Sequence, residues 1–194
     1  MEATPATLSP PVDLARDHLR GEPDAPMTLV EYGDFQCPYC GDAYPVVQEL
    51  LAHFGDQVRF VFRHMPMADL HPRAMAAAEA AEAAAAQGRF WEMHDRLFEH
   101  RLELTDAQLR DHAEAIGLDV ERFDRELREG VHAARVAEDY RSGVRSGTPS
   151  TPRFFVNGVI HLGSPSRAAL EEAISAALAA LSRLRPPGRS AAGS

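Results

Sequence analysis

Cysteine is nearly absent from this chain. Of 194 residues only two are cysteine, and both lie in the stretch EYGDFQCPYCGDAYP, Glu31 to Pro45, as Cys37 and Cys40 with two residues between them. A closed structural zinc site gathers four ligands, usually as two pairs. A single cysteine pair and nine histidines without an HExxH do not supply that set, so no metal is expected. Long apolar runs are missing as well. Nothing approaches the roughly 18–20 continuous apolar residues of a membrane span, so no membrane insertion is expected. Positive charge is in deficit, with a net charge of −9. That argues against non-specific nucleic-acid binding, which needs clustered cations. The opening MEATPATLSPPVDLARDHLRG has neither the basic start nor the apolar centre of a secretory signal. A cytoplasmic location is therefore expected. Disulfides there are rare, and those that form are usually transient and catalytic or redox-sensing. An inert Cys37–Cys40 link is thereby disfavoured.

What is present is an ordinary globular composition, 45% apolar and 25% charged, in a chain long enough for one domain with a substantial core. Residues 1–17 include the Pro-, Ser- and Thr-rich start and read as a disordered leader or linker, and residues 184–194 as a disordered tail. MTLVEYG, Met27–Gly33, reads as a buried strand. PYCGDAYPVVQELLAH reads as a helix from Pro38 to His53, with Pro45 expected to kink it. QVRFVFRHM, Gln57–Met65, alternates as a second strand. A helical region follows. One helix starts near Pro72 and stops at Gly88, and a second carries Phe90, Trp91, Met93, His94, Leu97 and Phe98 as core positions rather than a ligand cage. A third is opened by the capping box TDAQ at Thr105–Gln108, a fourth is capped by Asp119, and a further apolar face is marked by Val136, Tyr140 and Val144. RFFVNGVIHLG, Arg153–Gly163, is a hairpin around Asn157-Gly158, and an amphipathic helix beginning near Ser166 closes the chain.

Within this outline Cys37 falls at a strand-to-helix junction. Unpaired N–H groups and the positive end of the helix stabilise a thiolate there, and the thiolate is the attacking species in disulfide exchange. Cys40, one turn on, is placed to attack the resulting mixed disulfide and release the partner. The pair reads as a thiol–disulfide reaction centre. His64, after the second strand, reads as a structural histidine.

Three separated features resemble the DsbA-like thiol–disulfide oxidoreductases of the thioredoxin-fold superfamily. They are the strand leading into FQCPYC with Pro45 eight residues after Cys37, the loop TPRFFVNG at Thr151–Gly158, and the long helical stretch between. The resemblance implies an α/β fold, a central mixed β-sheet flanked by helices, with an inserted helical domain. The thioredoxin-fold core would comprise 18–66 and 148–183, and the insertion 67–147. It implies Cys37 as exposed nucleophile and Cys40 as buried resolving thiol. It also implies a substrate-binding surface of Pro38, Tyr39, Thr151 and a cis Pro152 that pairs with extended polypeptide by β-addition. Glu31, six residues before Cys37, stands where superfamily members often carry a buried acid, and would take the proton of Cys40. The other reading of Glu31 is a surface carboxylate at a strand edge.

Two departures matter. SGTPSTPRFF offers two Thr-Pro pairs, and the spacing to Phe154-Phe155 selects Pro152 over Pro149. Tyr39 stands where strongly oxidising DsbA has histidine, so one thiolate-stabilising charge is missing. CPYC is the dipeptide pattern of glutaredoxins, which suggests a potential near roughly −200 to −230 mV. No cofactor is expected, since the dithiol holds the electrons. The expected partners are protein thiol or disulfide substrates and a recycling redox partner, either a thioredoxin system or a small thiol. Two alternatives remain. One is a glutaredoxin-like reductase dependent on a low-molecular-weight thiol. The other is a redox-sensing or interaction domain regulating a partner such as a membrane transporter, since DLARDHLRGEPDAPMTLVEYGDFQCPYCGDAYPVVQELL is similar to domains joined to sodium/proton antiporters.

Overall fold

Burial on both faces makes MTLVEYG the central strand. The computed structural model describes residues 6–184. In it Met27–Gly33 forms β2, after a three-residue β1 at His18–Arg20 that the sequence did not announce. Helix α1, Pro38–Phe54, runs through Pro45 and crosses over to β3, Val58–His64. Strand β3 lies parallel to β2 from Met27 opposite Val58 to Gly33 opposite His64. A parallel neighbour requires such a crossover. Five helices follow: α2 Ala74–Ala85, α3 Phe90–Glu99, α4 Asp106–Ala115, α5 Val120–Glu129 and α6 Ala133–Arg145. The chain then adds β4, Arg153–Val156, antiparallel to β2, and β5, Val159–Ile160, and ends in α7, Arg167–Leu184. The sheet order is β1-β3-β2-β4-β5, a mixed sheet flanked by helices, as expected.

Local chemistry explains the boundaries. The Thr105 hydroxyl accepts the Gln108 N–H, and the Gln108 side chain returns to the Thr105 N–H, forming the expected capping box of α4. Asp119 caps α5 by accepting the Arg122 N–H. Asn157 and Gly158 both have positive φ, 46° and 79°, the geometry that matches a two-residue turn to the strand twist.

The pleat sends alternate residues of β2 to opposite sides. Met27 and Leu29 join Phe60, Phe62, Phe154 and the apolar sides of α1 and α7 in one cluster. That cluster continues without a break through Phe90, Met93, Leu97 and Phe98 of α3 and Leu109 and Phe123 of α4 and α5. Val30 and Tyr32 face the other way, into a smaller cluster with Leu8, Val61, Met65 and Phe155.

That second face departs from expectation twice. Residues 6–17, expected as part of a disordered leader, are packed. Thr7 bridges to Val159, the Leu8 N–H donates to the Gly158 carbonyl at 2.8 Å, and Leu8 is buried. The cause is Arg63, which the pleat of β3 buries completely. Its guanidinium donates to the carbonyls of Pro10 and Pro11, to the Tyr32 hydroxyl and to both oxygens of Asp17. A buried guanidinium left unsatisfied is costly, and the proline-rich segment supplies carbonyls that no helix or sheet has claimed. Residues 1–5 of the expected leader and 185–194 of the expected tail lie outside the described residues.

The expected apolar side of α6 is also corrected. Val136 is buried, but Tyr140 and Val144 are exposed, and Asp139, Ser142 and Gly143 face inward. The sheet presents polar groups there. The Tyr32 hydroxyl bonds the Ser142 hydroxyl at 2.7 Å, and the His64 N–H donates to Asp139. A Cβ on Gly143 would lie 2.5 Å from the Met65 sulfur and 3.1 Å from the Tyr32 ring, so only glycine permits this approach.

Replacing Arg63 by Met should cost on the order of 3 kcal/mol, because the buried Asp17 carboxylate loses both guanidinium bonds and keeps only Arg16 and the Asp13 N–H, while the Pro10 and Pro11 carbonyls lose their donor. Urea denaturation measures the loss, and faster amide exchange confined first to residues 6–17 would show where it acts. Arg167→Ala, which breaks the exposed pair with Glu49, should change stability by less than about 1 kcal/mol.

Candidate active site

Strand β2 ends at Gly33, and the next four residues turn the chain into α1. Cys37 is the N-cap, with extended φ −66° and ψ 125°, and Pro38 occupies the first helical position. Proline fits there because that N–H has no intrahelical partner. The turn is held by Asp34. Its carbonyl accepts the Cys37 N–H at 3.1 Å, and its carboxylate accepts the Gln36 N–H at 2.8 Å.

Both cysteines are free thiols. Cys37 was expected to be exposed, and the structure corrects this: the residue is only 3% accessible. The loop at Thr151 closes over it, and the Cys37 thiol donates to the Thr151 carbonyl at 3.6 Å. The hydrogen bond from the Cys40 thiol is the largest influence on Cys37. Burial opposes ionisation, and further hydrogen bonds from the Thr151 side chain and from the N–H groups of Cys40 and Tyr39 assist it. Together they bring Cys37 from 9.0 down to about 5. Cys40 is fully buried and behaves oppositely. Burial, its bond to Cys37 and the charges of Glu31 and Cys37 push its thiol up, while the Asp34 N–H, 3.4 Å from its sulfur, lowers it. One thiol of the pair is made acidic and the other kept protonated.

Glu31 projects from β2 towards α1, on the side of Met27 and Leu29 set by the pleat. It is buried, not an edge carboxylate, and its Oε1 has no hydrogen-bond partner. Burial first, and the Cys37 charge second, raise its pKa from 4.5 to about 8.

Pro38 and Tyr39 stand on the surface, Tyr39 at 68% accessibility. They adjoin a groove of about 270 Å³ whose lining includes Tyr39, Thr151, Pro152, His161 and Pro165. The Thr151–Pro152 peptide bond is cis. The other cis bond among the described residues is Ser9–Pro10, so the Thr148–Pro149 bond is trans. The four surface and loop positions expected around the cysteines, Pro38, Tyr39, Thr151 and Pro152, therefore sit together beside them.

Asp34 and His71 were not expected at this site. Beyond the Gln36 N–H, the Asp34 carboxylate accepts the Met67 N–H at 2.9 Å and pairs with His71 Nδ1 at 2.7 Å. The local signal was available, since an Asp two residues before the N–H it accepts is an Asx turn. The distant partners were not.

His64 is buried with its Nε2 2.9 Å from Glu82. His18, His64 and Glu82 are the trio among the described residues whose ligand atoms lie within 4.8 Å of one another. Both His Nε2 atoms already bond the same Glu82 oxygen, and the Arg135 guanidinium is 3.9 Å from it. A dication would have to displace both bonds beside a fixed positive charge, so this cluster fits a hydrogen-bonded brace better than a metal centre. Trp91 lies partly buried beside the core, donating its indole N–H to the Leu19 carbonyl and carrying Arg20 4.4 Å above its ring.

The family described as Thioredoxin matches residues 14–176. Among curated relatives, a Na(+)/H(+) antiporter NhaA 1 of Salinispora arenicola is 52% identical over 92% of this chain and 27% of its own length. NhaA 3 of Salinispora tropica is 51% identical over 93% and 28%. The chain thus spans about a quarter of the length of these relatives. Among solved structures, BdbD from Bacillus subtilis superposes with a TM-score of 0.78 at 24% identity, covering 92% of this chain and all of that one. A thioredoxin-like oxidoreductase from Silicibacter pomeroyi gives 0.75 at 29% identity, covering 84% and 93%. No helix among the described residues is long and apolar enough to cross a membrane.

The buried carboxylate implies a definite pH dependence of stability. Glu31 ionises at 4.5 when unfolded and near 8 when folded, so between those values the unfolded state binds fewer protons and stability falls as pH rises. Glu31→Gln should therefore raise stability at pH 7 by on the order of 3 kcal/mol, with little gain at pH 4. Thermal melts at the two pH values test this, and equal gains at both would contradict it.

Proposed function

Since the chain belongs to the thioredoxin family, we propose that it is a thiol–disulfide oxidoreductase acting on protein dithiols and disulfides through Cys37 and Cys40. The observation that carries this reading is the opposed acidity of the two thiols, Cys37 brought to about 5 while Cys40 is pushed up above a buried carboxylate. A nucleophile that is ionised at neutral pH and a resolving thiol held in reserve are what a two-step exchange requires.

In the oxidising half-reaction on this reading, the Cys37 thiolate attacks one sulfur of a disulfide. A Cys37 mixed disulfide forms, and the other sulfur leaves as a thiolate. Cys40 gives its proton to Glu31 and attacks the Cys37 sulfur, so the Cys37–Cys40 disulfide forms and the second thiolate departs. Two electrons pass from the protein dithiol to the substrate disulfide. The reverse sequence oxidises a substrate dithiol. The groove beside Tyr39 and Thr151–Pro152 would hold an extended segment of the substrate along the loop, and a second dithiol or a small thiol would return Cys37 and Cys40 to their starting state.

A second reading has its own support. The curated relatives carry antiporter names, and this chain spans about a quarter of their length. A thiol pair of this kind joined to a transporter would report redox state to it, with Cys37–Cys40 oxidation changing the contacts of the domain.

The two are separated by turnover. With insulin as disulfide substrate and a dithiol reductant, the oxidoreductase reading expects many turnovers per protein. Cys37→Ser should abolish them, and Cys40→Ala should trap a mixed disulfide at Cys37. A single stoichiometric oxidation without turnover would favour the sensor. Titration in a thiol buffer should place the pair near roughly −200 to −230 mV, between thioredoxin and DsbA. A value near roughly −120 mV would overturn the inference drawn from Tyr39.

A further inference from the structure

We propose that Asp34 and His71 form a positioning pair that holds the Asp34 N–H against the Cys40 sulfur and thereby sets how fast Cys40 resolves the mixed disulfide. The inference rests on the oxidoreductase reading and assigns two residues to its second step.

The geometry is that of a bolted turn. Asp34 touches both cysteines through its backbone, its carbonyl accepting the Cys37 N–H at 3.1 Å and its N–H lying 3.4 Å from the Cys40 sulfur. Its carboxylate is buried and receives three hydrogen bonds, from the Gln36 N–H, the Met67 N–H and His71 Nδ1 at 2.8, 2.9 and 2.7 Å. Met67 and His71 belong to one turn, since the His71 N–H donates to the Met67 carbonyl at 2.8 Å. A third bond ties the same two segments, from the Arg73 N–H to the Gln36 side chain at 2.7 Å. The loop entering the helical insertion thus grips the active-site turn at Asp34 and at Gln36.

Only one of the two cysteines depends on this grip for its thiolate. Cys37 is served by N–H groups of Tyr39 and Cys40 in the first turn of α1, which the helix itself orients. Around Cys40 the burial, the neighbouring thiol and the nearby negative charges all disfavour ionisation, and the Asp34 N–H is the influence that favours it. When Cys40 gives up its proton to attack, this donor is already in place and needs no reorganisation. A carboxylate receiving three hydrogen bonds fixes the plane of the turn. Without His71 the carboxylate loses its shortest bond and its one side-chain anchor, the turn loosens about the two backbone bonds that remain, and the donor drifts off the sulfur. The pair acts through the backbone of Asp34, and neither side chain touches the reacting sulfurs.

Reduced protein mixed with 5,5′-dithiobis(2-nitrobenzoate) separates the steps. Attack by Cys37 releases the first coloured thiolate and leaves a mixed disulfide, and attack by Cys40 releases the second as the Cys37–Cys40 disulfide forms. Stopped-flow absorbance should show two equal phases in the wild-type chain and only the first in Cys40→Ala. In His71→Ala and Asp34→Asn the first phase should stay within about twofold while the second slows about tenfold. His71→Asn, whose amide nitrogen can donate to the same oxygen, should restore most of the second phase. If both phases keep their wild-type rates, or slow equally while the melting temperature falls, Asp34 and His71 are structural only and the proposal is overturned. If His71→Ala melts normally and only the second phase slows, it stands. A wild-type chain that never gives a second phase would instead overturn the oxidoreductase reading, before any variant is compared.

Discussion

Burial of β2 on both faces is the constraint on which the rest of this structure depends. All seven residues are buried, and both edges are hydrogen-bonded, to β3 on one side and β4 on the other. A strand in that position has no freedom of register, because a shift by one residue would exchange every side chain between its two covers. Glu31 would leave the neighbourhood of Cys40, and Tyr32 would leave Arg63 and Ser142. The buried carboxyl beside the cysteines and the polar brace behind the sheet are thus two consequences of one register. The same strand ends where the turn to Cys37 begins, so the position of the thiol is inherited from the core.

The two covers differ in chemistry. On the α1 side the packing is aromatic: Phe35 stacks on Phe62 with centroids 5.2 Å apart, and Phe98 lies 4.9 Å from Phe35. His94 is caught in this cluster, and burial pushes its pKa down to about 4. The same low-polarity surroundings raise Glu31. On the opposite side the sheet meets charge. Arg63 is paired with Asp17, and Arg16 and Arg135 with Asp139. At the margin of the aromatic side, where His18 stacks on Phe90 and His64 lies beside Phe35, burial resists the ionisation of Glu82, but the bonds to His18 and His64 outweigh it and hold the carboxylate below its usual range. These pairs lie among β1, β3, α2, α6 and the N-terminal segment, and they cross-link parts of the chain that the apolar core does not join.

What was legible in the sequence follows from how local the signals are. The apolar run MTLVEYG, the alternation in VRFVFRH, the Asn157-Gly158 turn and the Thr105 capping box each occupy a few consecutive residues, and each forms the element expected. The family resemblance supplied the fold around them. The failures are non-local. Nothing within SPPVD announces that its carbonyls will meet Arg63, fifty residues on, so a packed segment looked like a leader. The inward face of α6 carries Asp139, Ser142 and Gly143 because its neighbours are Tyr32, His64 and Met65, and an apolar pattern cannot report a polar partner. Strand β1 is too short to show a period. Asp34 lies within the cysteine motif, but its partners Met67 and His71 stand more than thirty residues away and leave no local signal.

The active site can be understood as a shared charge. Cys37 and Glu31 are acids in one buried neighbourhood, and the ionised thiolate helps to keep the carboxyl protonated. Two negative charges in surroundings of low polarity repel strongly, so the reduced protein holds one, on sulfur. On the oxidoreductase reading, a mixed disulfide at Cys37 removes its charge, and with it the smaller of the two influences that raise Glu31. The carboxyl is then freer to ionise and to receive the proton of Cys40, and it reaches that state at the stage when Cys40 must attack. Burial, the larger of the two influences, remains and keeps the proton affinity of Glu31 above that of an exposed carboxylate. On that reading the position of Glu31 beside Cys37 ties its readiness to accept a proton to the progress of the exchange.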